Sequence, residues 1–236
     1  MRTVISGATG DIGFAIAEAL APEHELILLG YKNEAAMRRL RERTGTPAAR
    51  CFMGDLADEA VVTRFAEACL SDGQPVGQFI HTVGAAHIGL VQDMTRSDWE
   101  RVIGVNLTSA FLLTKAILPG MIAGKSGRML FVSSIWAREG AGMEVAYSAA
   151  KGGLDSFARA LAKEVAPSGI AVNAVDLGMV NTKMNAHLDA GEVAAVEAEI
   201  PVGRQCTPAE CAAFIRTLLA APAYMTGQRI GFDGGW

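Results

Sequence analysis

A doubly wound α/β domain, with a parallel sheet of about seven strands and helices on both faces, is predicted by three features of the 236-residue sequence. Short β-branched or leucine-rich runs alternate with longer amphipathic stretches from end to end, the pattern of a parallel sheet covered on both sides and joined by right-handed crossovers. A glycine-rich turn, Ser6-Gly7-Ala8-Thr9-Gly10-Asp11-Ile12-Gly13, stands between the first strand-like run and the first helical one. Half of the residues are hydrophobic and 19% are charged, in a length that one core can absorb, so a single domain over residues 1–236 is expected. In such a fold the ligand lies beyond the carboxyl ends of the strands.

The elements follow in order. Strands are expected at Thr3 to Ser6, Glu25 to Leu29, Ala49 to Met53, Gln78 to Val83, Arg128 to Ser133, Ile170 to Val175 and Gln228 to Phe232, each short and rich in β-branched, leucine or aromatic residues. Helical spacing of apolar residues marks Phe14 to Leu20, Asn33 to Arg43 and Glu59 to Leu70. Arg38, Arg39, Arg41 and Arg43 fall in the second half of their helix, where cations suit the negative end of the dipole, and read as a solvated face. The Ala- and Glu-rich stretch around 185–201 is either a mobile flap over the site or an ordinary surface helix. Thr207-Pro208-Ala209-Glu210 fits a capping box that opens the last helix.

Lys plus Arg is 21 and Asp plus Glu is 25, a net charge of −4, so no global basic field exists to gather nucleic acid. The start of the chain is too poor in apolar residues for a signal peptide, and no window approaches the run of about 18 that a membrane span needs. A cytoplasmic protein is expected. Cys51, Cys69, Cys206 and Cys211 are scattered and read as buried thiols, with neither disulfide nor metal-ligand spacing.

Gly7, Gly10 and Gly13 let a backbone turn approach a pyrophosphate, while the following helix offers unpaired N–H groups and the positive end of its dipole. Asp11 is then expected to cap those groups from the side with its charge pointing away, leaving the backbone of Gly10 to Gly13 to hold the ligand. Gly120 to Ser126 resembles a triphosphate loop but is one residue short and precedes a strand.

Tyr147-Ser148-Ala149-Ala150-Lys151 sets a phenol and an ammonium at i and i+4, on one helix face. A cation about 4 Å from the phenol is worth roughly 4 kcal/mol at an effective dielectric near 20, enough to lower its pKa by about 3 and make it a usable acid near neutrality. Ser134, thirteen positions earlier, closes the fifth strand at the ligand edge, where its hydroxyl suits a substrate carbonyl. As an acyl nucleophile Ser134 lacks the G-x-S-x-G elbow, and none of the four histidines has motif support as its base.

Together these residues resemble the short-chain dehydrogenase/reductase family, a Rossmann-fold group. The resemblance runs through the glycine turn, Asp55-Leu56, Val105-Asn106-Leu107, Ser134, Tyr147 with Lys151, Asn173 to Thr182, and Asp233-Gly234-Gly235. It implies that Tyr147 is the proton donor and that Lys151 lowers its pKa and holds the nicotinamide ribose. It also implies that Ser134 orients the carbonyl and that Asn106 supports a water-linked proton relay. Implied cofactor contacts are Gly7, Thr9, Gly10, Asp11, Ile12 and Gly13 in the turn, and Tyr31 and Lys32 after the second strand. Asp55 and Leu56 would flank the adenine; Thr82, Val83, Gly84, Val180 and Thr182 follow along the edge, with no metal. The sequence departs from the pattern at Asp11, where Gly is usual, at His81-Thr82-Val83-Gly84 in place of Asn-Asn-Ala-Gly, and at Leu177-Gly178 in place of Pro-Gly.

No acid ends the second strand, and Lys32 suits a 2′-phosphate, so NADP(H) is expected over NAD(H). Within the family the resemblance is closest to 3-oxoacyl-acyl-carrier-protein reductases of fatty acid biosynthesis, through Asp98-Trp99 and Ile200-Pro201-Val202-Gly203-Arg204, and it implies a homotetramer. Only Lys125 and Arg128 could meet an acidic carrier, and Ser168 stands where carrier-using members can have arginine, so a free ketone or a sugar or polyol alcohol stays open as substrate. From another class, a non-catalytic dinucleotide sensor or scaffold remains as the alternative, disfavoured by the intact set of four site residues.

Overall fold

In the computed structural model, which describes residues 1–236, seven strands form one sheet: β1 (Arg2–Ser6), β2 (Glu25–Gly30), β3 (Cys51–Met53), β4 (Gln78–His81), β5 (Gly127–Ser134), β6 (Ile170–Leu177) and β7 (Arg229–Phe232). Every pairing is parallel, in the order β3-β2-β1-β4-β5-β6-β7. The order reverses between β1 and β4, so the segments leaving their carboxyl ends diverge and open the crevice in which such sheets bind ligands.

Eight helices connect the strands: α1 (Asp11–Leu20), α2 (Glu34–Thr44), α3 (Glu59–Cys69), α4 (Arg96–Ile103), α5 (Ser109–Gly124), α6 (Val145–Val165), α7 (Ala190–Glu199) and α8 (Pro208–Ala220). Alternation along each strand feeds two cores. Phe79, Phe131 and Val172 point toward Phe65, Leu113 and Leu154 of α3, α5 and α6. Ile5, Leu28 and Ile80 point toward Ile16, Leu40 and Ile215 of α1, α2 and α8.

All seven expected strands exist, and their ends differ for local reasons. Ala49 and Arg50 belong to a 3-10 turn before β3. Thr82 and Val83 leave β4, although Thr82 N still donates to Ser6 O at 3.1 Å. β5 and β6 each run eight residues because they pair with one another from Gly127↔Ile170 to Ser134↔Leu177. The expected capping box at Thr207 and Glu210 forms.

Two expectations need correction. The arginines of α2 are not simply solvated: Arg39 lies 5.1 Å above the Phe14 ring and Arg43 pairs with Glu18, both on α1. α4 and α5 join through a wide turn into one helix over Arg96–Gly124, and its most apolar 18-residue window has a mean hydropathy of 1.5. That is long and apolar enough to cross a membrane, against the expectation. Its apolar face, however, is taken by the sheet, where Leu113, Ile117 and Met121 are fully or nearly fully buried.

One charged cluster lies inside the fold. Arg229 of β7 places Nε 2.7 Å from Asp176 Oδ2 on β6 and 3.3 Å from Asp155 Oδ2 on α6. Both carboxylates are about 98% buried or more. Burial, then the neighbouring Asp155, pushes the Asp176 carboxyl up to about 6. These are two buried acids with one cation, and the arrangement fastens β7 to β6 and α6.

Candidate active site

The glycine turn shows why it needs glycine. Gly7 has φ +74°, and a Cβ there would stand 2.6 Å from Thr82 Oγ1; a Cβ on Gly13 would stand 2.4 Å from Gly7 O. Gly10 caps α1 with no side-chain bond to the helix N–H groups, so the first turn presents bare backbone donors toward the crevice. A backbone cradle that a methyl group would fill, at a helix start with free donors, fits a pyrophosphate. Gly13→Ala is expected to cost about 1–3 kcal/mol of stability, because the rigid Gly7 carbonyl must move, and to weaken binding of a dinucleotide more than tenfold. Thermal melts and nicotinamide-fluorescence titration check both.

Asp11 does not cap its helix. Its carboxylate accepts from Lys183 N at 2.7 Å and lies 3.7 Å from Lys183 Nζ, so it points away from the turn and ties α1 to the segment after β6. Thr9 packs against Gly30, where a Cβ would meet its Cγ2 at 2.8 Å. Thr82 spends its hydroxyl on the backbone, donating to Ser6 O at 2.7 Å. His81 is fully buried between Ser6 Oγ, 2.9 Å from Nδ1, and Ser109 Oγ; burial and then Lys151 depress its pKa to about 3, so it is neutral and structural.

Asn106 sits in the wide turn Gly104–Thr108, a π-helical turn of the kind found at functional sites. Its side chain is fully buried and committed: Nδ2 donates to Ala85 O at 2.7 Å and to Val102 O at 2.8 Å, while Oδ1 accepts from Ala85 N at 3.3 Å. Gly84 lies beside it, and a Cβ there would stand 3.4 Å from Asn106 Oδ1 and 3.7 Å from Lys151 Nζ.

Ser134 ends β5, and its Oγ accepts from Trp136 N at 3.2 Å, which leaves the hydroxyl proton to be donated elsewhere. Tyr147 and Lys151 share the same face of α6, as their spacing requires. The expected electrostatics do not hold in detail. Lys151 Nζ donates to Val132 O at 2.9 Å and stands 5.6 Å from the centre of the Tyr147 ring, over its face. Burial therefore decides both groups: Tyr147 is pushed up to about 12, opposed by Ser134, and Lys151 is pushed down to about 8, opposed by Asp155. The phenol is not made acidic by the ammonium here.

A cavity of about 170 Å³ joins these groups, with Ile12, Thr82, Gly84, Val180 and Thr182 on one side and Ser134, Tyr147 and Lys151 on the other. Val180 is held by a parallel bridge to Cys206. Val83 packs on the core beside this edge. Tyr31 and Lys32 stand apart and exposed, with Lys32 Nζ 4.6 Å over the Tyr31 ring. Leu56 is a core residue, so of the expected adenine pair only Asp55 is exposed. A wider depression of about 690 Å³ beside α1, lined by Glu18, Arg39 and Arg43 among others, contains none of Ser134, Tyr147 or Lys151.

The cavity walls include residues that motif reading missed. Trp136 and Trp236 meet edge to face at 5.2 Å, and Glu144, Met184 and His187 line the remainder. Trp136, two residues past Ser134, and Glu144, one turn before Tyr147, carried a positional signal. Trp236 and His187 carried none short of the fold.

A protein family described as Enoyl-(Acyl carrier protein) reductase matches residues 7–236. The chain is 38% identical to an uncharacterized oxidoreductase, YmfI, of Bacillus subtilis, over 99% of this chain and 97% of the relative. It is 34% identical to the 3-oxoacyl-[acyl-carrier-protein] reductase FabG of Aquifex aeolicus, over 99% and 96%. A solved structure from Agrobacterium tumefaciens, provisionally described as a gluconate dehydrogenase, superposes with a TM-score of 0.91 at 28% identity, covering 99% of this chain and 94% of the other.

Proposed function

The chain belongs to the short-chain dehydrogenase/reductase family and is an NAD(P)-dependent oxidoreductase, and from that premise we propose that it uses NADP(H) to reduce a ketone, a 3-oxoacyl thioester, to a secondary alcohol. The observation that carries the reading is the shared cavity in which Ser134, Tyr147 and Lys151 meet Ile12 and Gly84 from the glycine turn and the following edge. A nicotinamide bound here would supply the hydride for the carbonyl carbon. The turn Gly7–Gly13 would hold its pyrophosphate, Lys151 its ribose hydroxyls, and Lys32 a 2′-phosphate.

The chain's own residues then manage the oxygen. Ser134, whose Oγ already accepts from Trp136 N, turns its proton to the carbonyl oxygen and stabilises charge as it develops there. Tyr147, kept protonated by burial, gives its proton to that oxygen. A secondary alkoxide is more basic than a phenolate, so the transfer runs downhill even from a phenol near 12. Lys151, charged below about 8, offsets the phenolate left behind. Asn106 holds the Val102 and Ala85 carbonyls, and Gly84 lies between its Oδ1 and Lys151 Nζ, the place for a relay that reprotonates Tyr147. A hydroxyl and a phenol aimed at one oxygen suit a carbonyl better than an alkene, which favours ketone over enoyl reduction.

The name of the Aquifex aeolicus relative, a 3-oxoacyl-[acyl-carrier-protein] reductase, supports a 3-oxoacyl thioester substrate; a cytoplasmic homotetramer working in fatty acid biosynthesis is part of the same proposal. α7, none of whose side chains is buried, serves as a flap over the cavity in this reading. Loss of NADPH absorbance with acetoacetyl-N-acetylcysteamine and with free ketones tests the activity; no consumption across the panel would overturn it. For the cofactor, NADPH is expected to bind at least tenfold more tightly than NADH, and Lys32→Ala to narrow that ratio by about two- to fivefold through loss of an exposed ion pair. Equal affinities in the parent protein would exclude the 2′-phosphate role.

A further inference from the structure

Glu144 occupies the N-cap position of α6 yet its side chain bonds to none of the helix N–H groups, and its charge is felt by the His187 ring and by the Tyr147 phenol. An acid at an N-cap ordinarily accepts from the first turn. Here the backbone prevents it. Met143, the preceding residue, is left-handed at φ 65°, one of two non-glycine residues in that region, and its carbonyl is pinned by Gly89 N at 2.8 Å. Such a conformation is costly for a side chain with a Cβ and is kept where surrounding structure enforces it. The result is a half-buried Glu144 whose side chain does not serve its own helix and which lines the cavity shared with Tyr147 and Ser134.

The rest of the wall near it is apolar: Trp136, Trp236, Ile88 and Met179. His187 faces it from the segment before α7, with Nδ1 3.1 Å from Met184 O and therefore protonated there, which leaves Nε2 open. A second negative charge brought into this space would sit close to Glu144 in a partly desolvated setting, where like charges repel strongly. A donor brought there would find the Glu144 carboxylate as an acceptor, beside the open His187 Nε2.

The geometry points to Glu144 as a specificity-determining residue, one that rejects ketones with a free carboxylate beside the carbonyl and accepts those whose neighbouring group is uncharged and offers an N–H or O–H donor. This rests on the ketone-reducing reading above and adds the substrate class. Keto acids are excluded; amides, hydroxyketones and thioesters carrying an amide N–H are admitted.

Acetoacetate and acetoacetamide are a matched pair in size that differ in charge and donors. Binding of each is read from the fluorescence of Trp136 and Trp236, in a Trp99→Phe background that removes the third tryptophan, and turnover from NAD(P)H consumption. The parent is expected to prefer acetoacetamide at least tenfold in both readouts, and Glu144→Gln to shrink that preference at least fivefold. Glu144→Ala, which removes the charge without adding an amide, is expected to act in the same direction. A preference that stays within twofold of the parent in both variants overturns the inference, as does a parent that binds acetoacetate as tightly as the amide. Binding that shifts as expected while neither ketone is reduced upholds Glu144 and removes only the reductase reading.

Discussion

Tyr147→Phe is expected to lower kcat for ketone reduction by between about 100- and 10,000-fold, the range over which a positioned general acid contributes. The substitution removes one hydroxyl and keeps the ring that Lys151 overlies, so NADPH affinity and melting temperature are expected to stay near the parent's. The pH dependence follows from which groups hold protons. With the Tyr147 phenol pushed up to about 12, reduction is expected to vary little between about pH 6 and 8. It should decline above that as Lys151, pushed down to about 8, loses its charge. Oxidation of the alcohol needs the phenolate, so its rate should rise with pH over the same range. Stopped-flow NADPH loss at saturating ketone measures the first effect; a Phe variant with the parent's rate would remove Tyr147 from the chemistry.

The second large effect concerns stability. Arg229→Leu would leave Asp155 and Asp176 buried without the one cation paired directly with both, and breaking a buried ion cluster in this way costs about 3–5 kcal/mol. The sign of the pH dependence is set by Asp176. Its folded pKa, about 6, lies above the ordinary 3.8, so folding favours its protonated form. Stability from this group is therefore present at low pH and lost as pH rises through about 4 to 6. Without Arg229 both carboxyls should rise further, and the deficit of the variant should be larger at pH 8 than at pH 5. Urea unfolding at the two pH values measures it; equal losses at both would mean that the carboxylates are not the cause.

Much of the fold was legible because two periodicities dominate it. Runs such as Glu25–Gly30 and Gln78–His81 have no reading other than buried strand once helical stretches flank them, and the parallel order follows from the crossovers. The placement of the candidate site was legible for a similar reason: Ser134 at a strand end and Tyr147 with Lys151 on one helix face are fixed by local geometry. What sequence spacing could not supply was depth. The i, i+4 rule brings Lys151 under Tyr147 but does not say whether the ammonium reaches the hydroxyl or a carbonyl, and Val132 O took it. Likewise Asp11 was expected to serve its own helix, and a segment 172 residues away claimed it instead. Asp155 and Asp176 interrupt the apolar pattern of α6 and β6, a signal that was present, but their partner Arg229 lies on another strand and only the sheet order joins them.

The wide turn at Gly104–Thr108 makes the long helix sensitive to length in a way that it is not sensitive to composition. Each residue of a helix turns the chain by about 100°, so deleting a single residue from this turn would wind the helix up regularly and swing α4 around the axis relative to α5. Val102 would leave its place against Ala146 and Ala150 of α6, and Asn106 could no longer face the Ala85 backbone while Leu113 and Ile117 kept their grip on the sheet. Swapping a side chain elsewhere on this helix costs some packing; a one-residue indel here would dismantle the alignment between the half that carries the polar anchor and the half that carries the core.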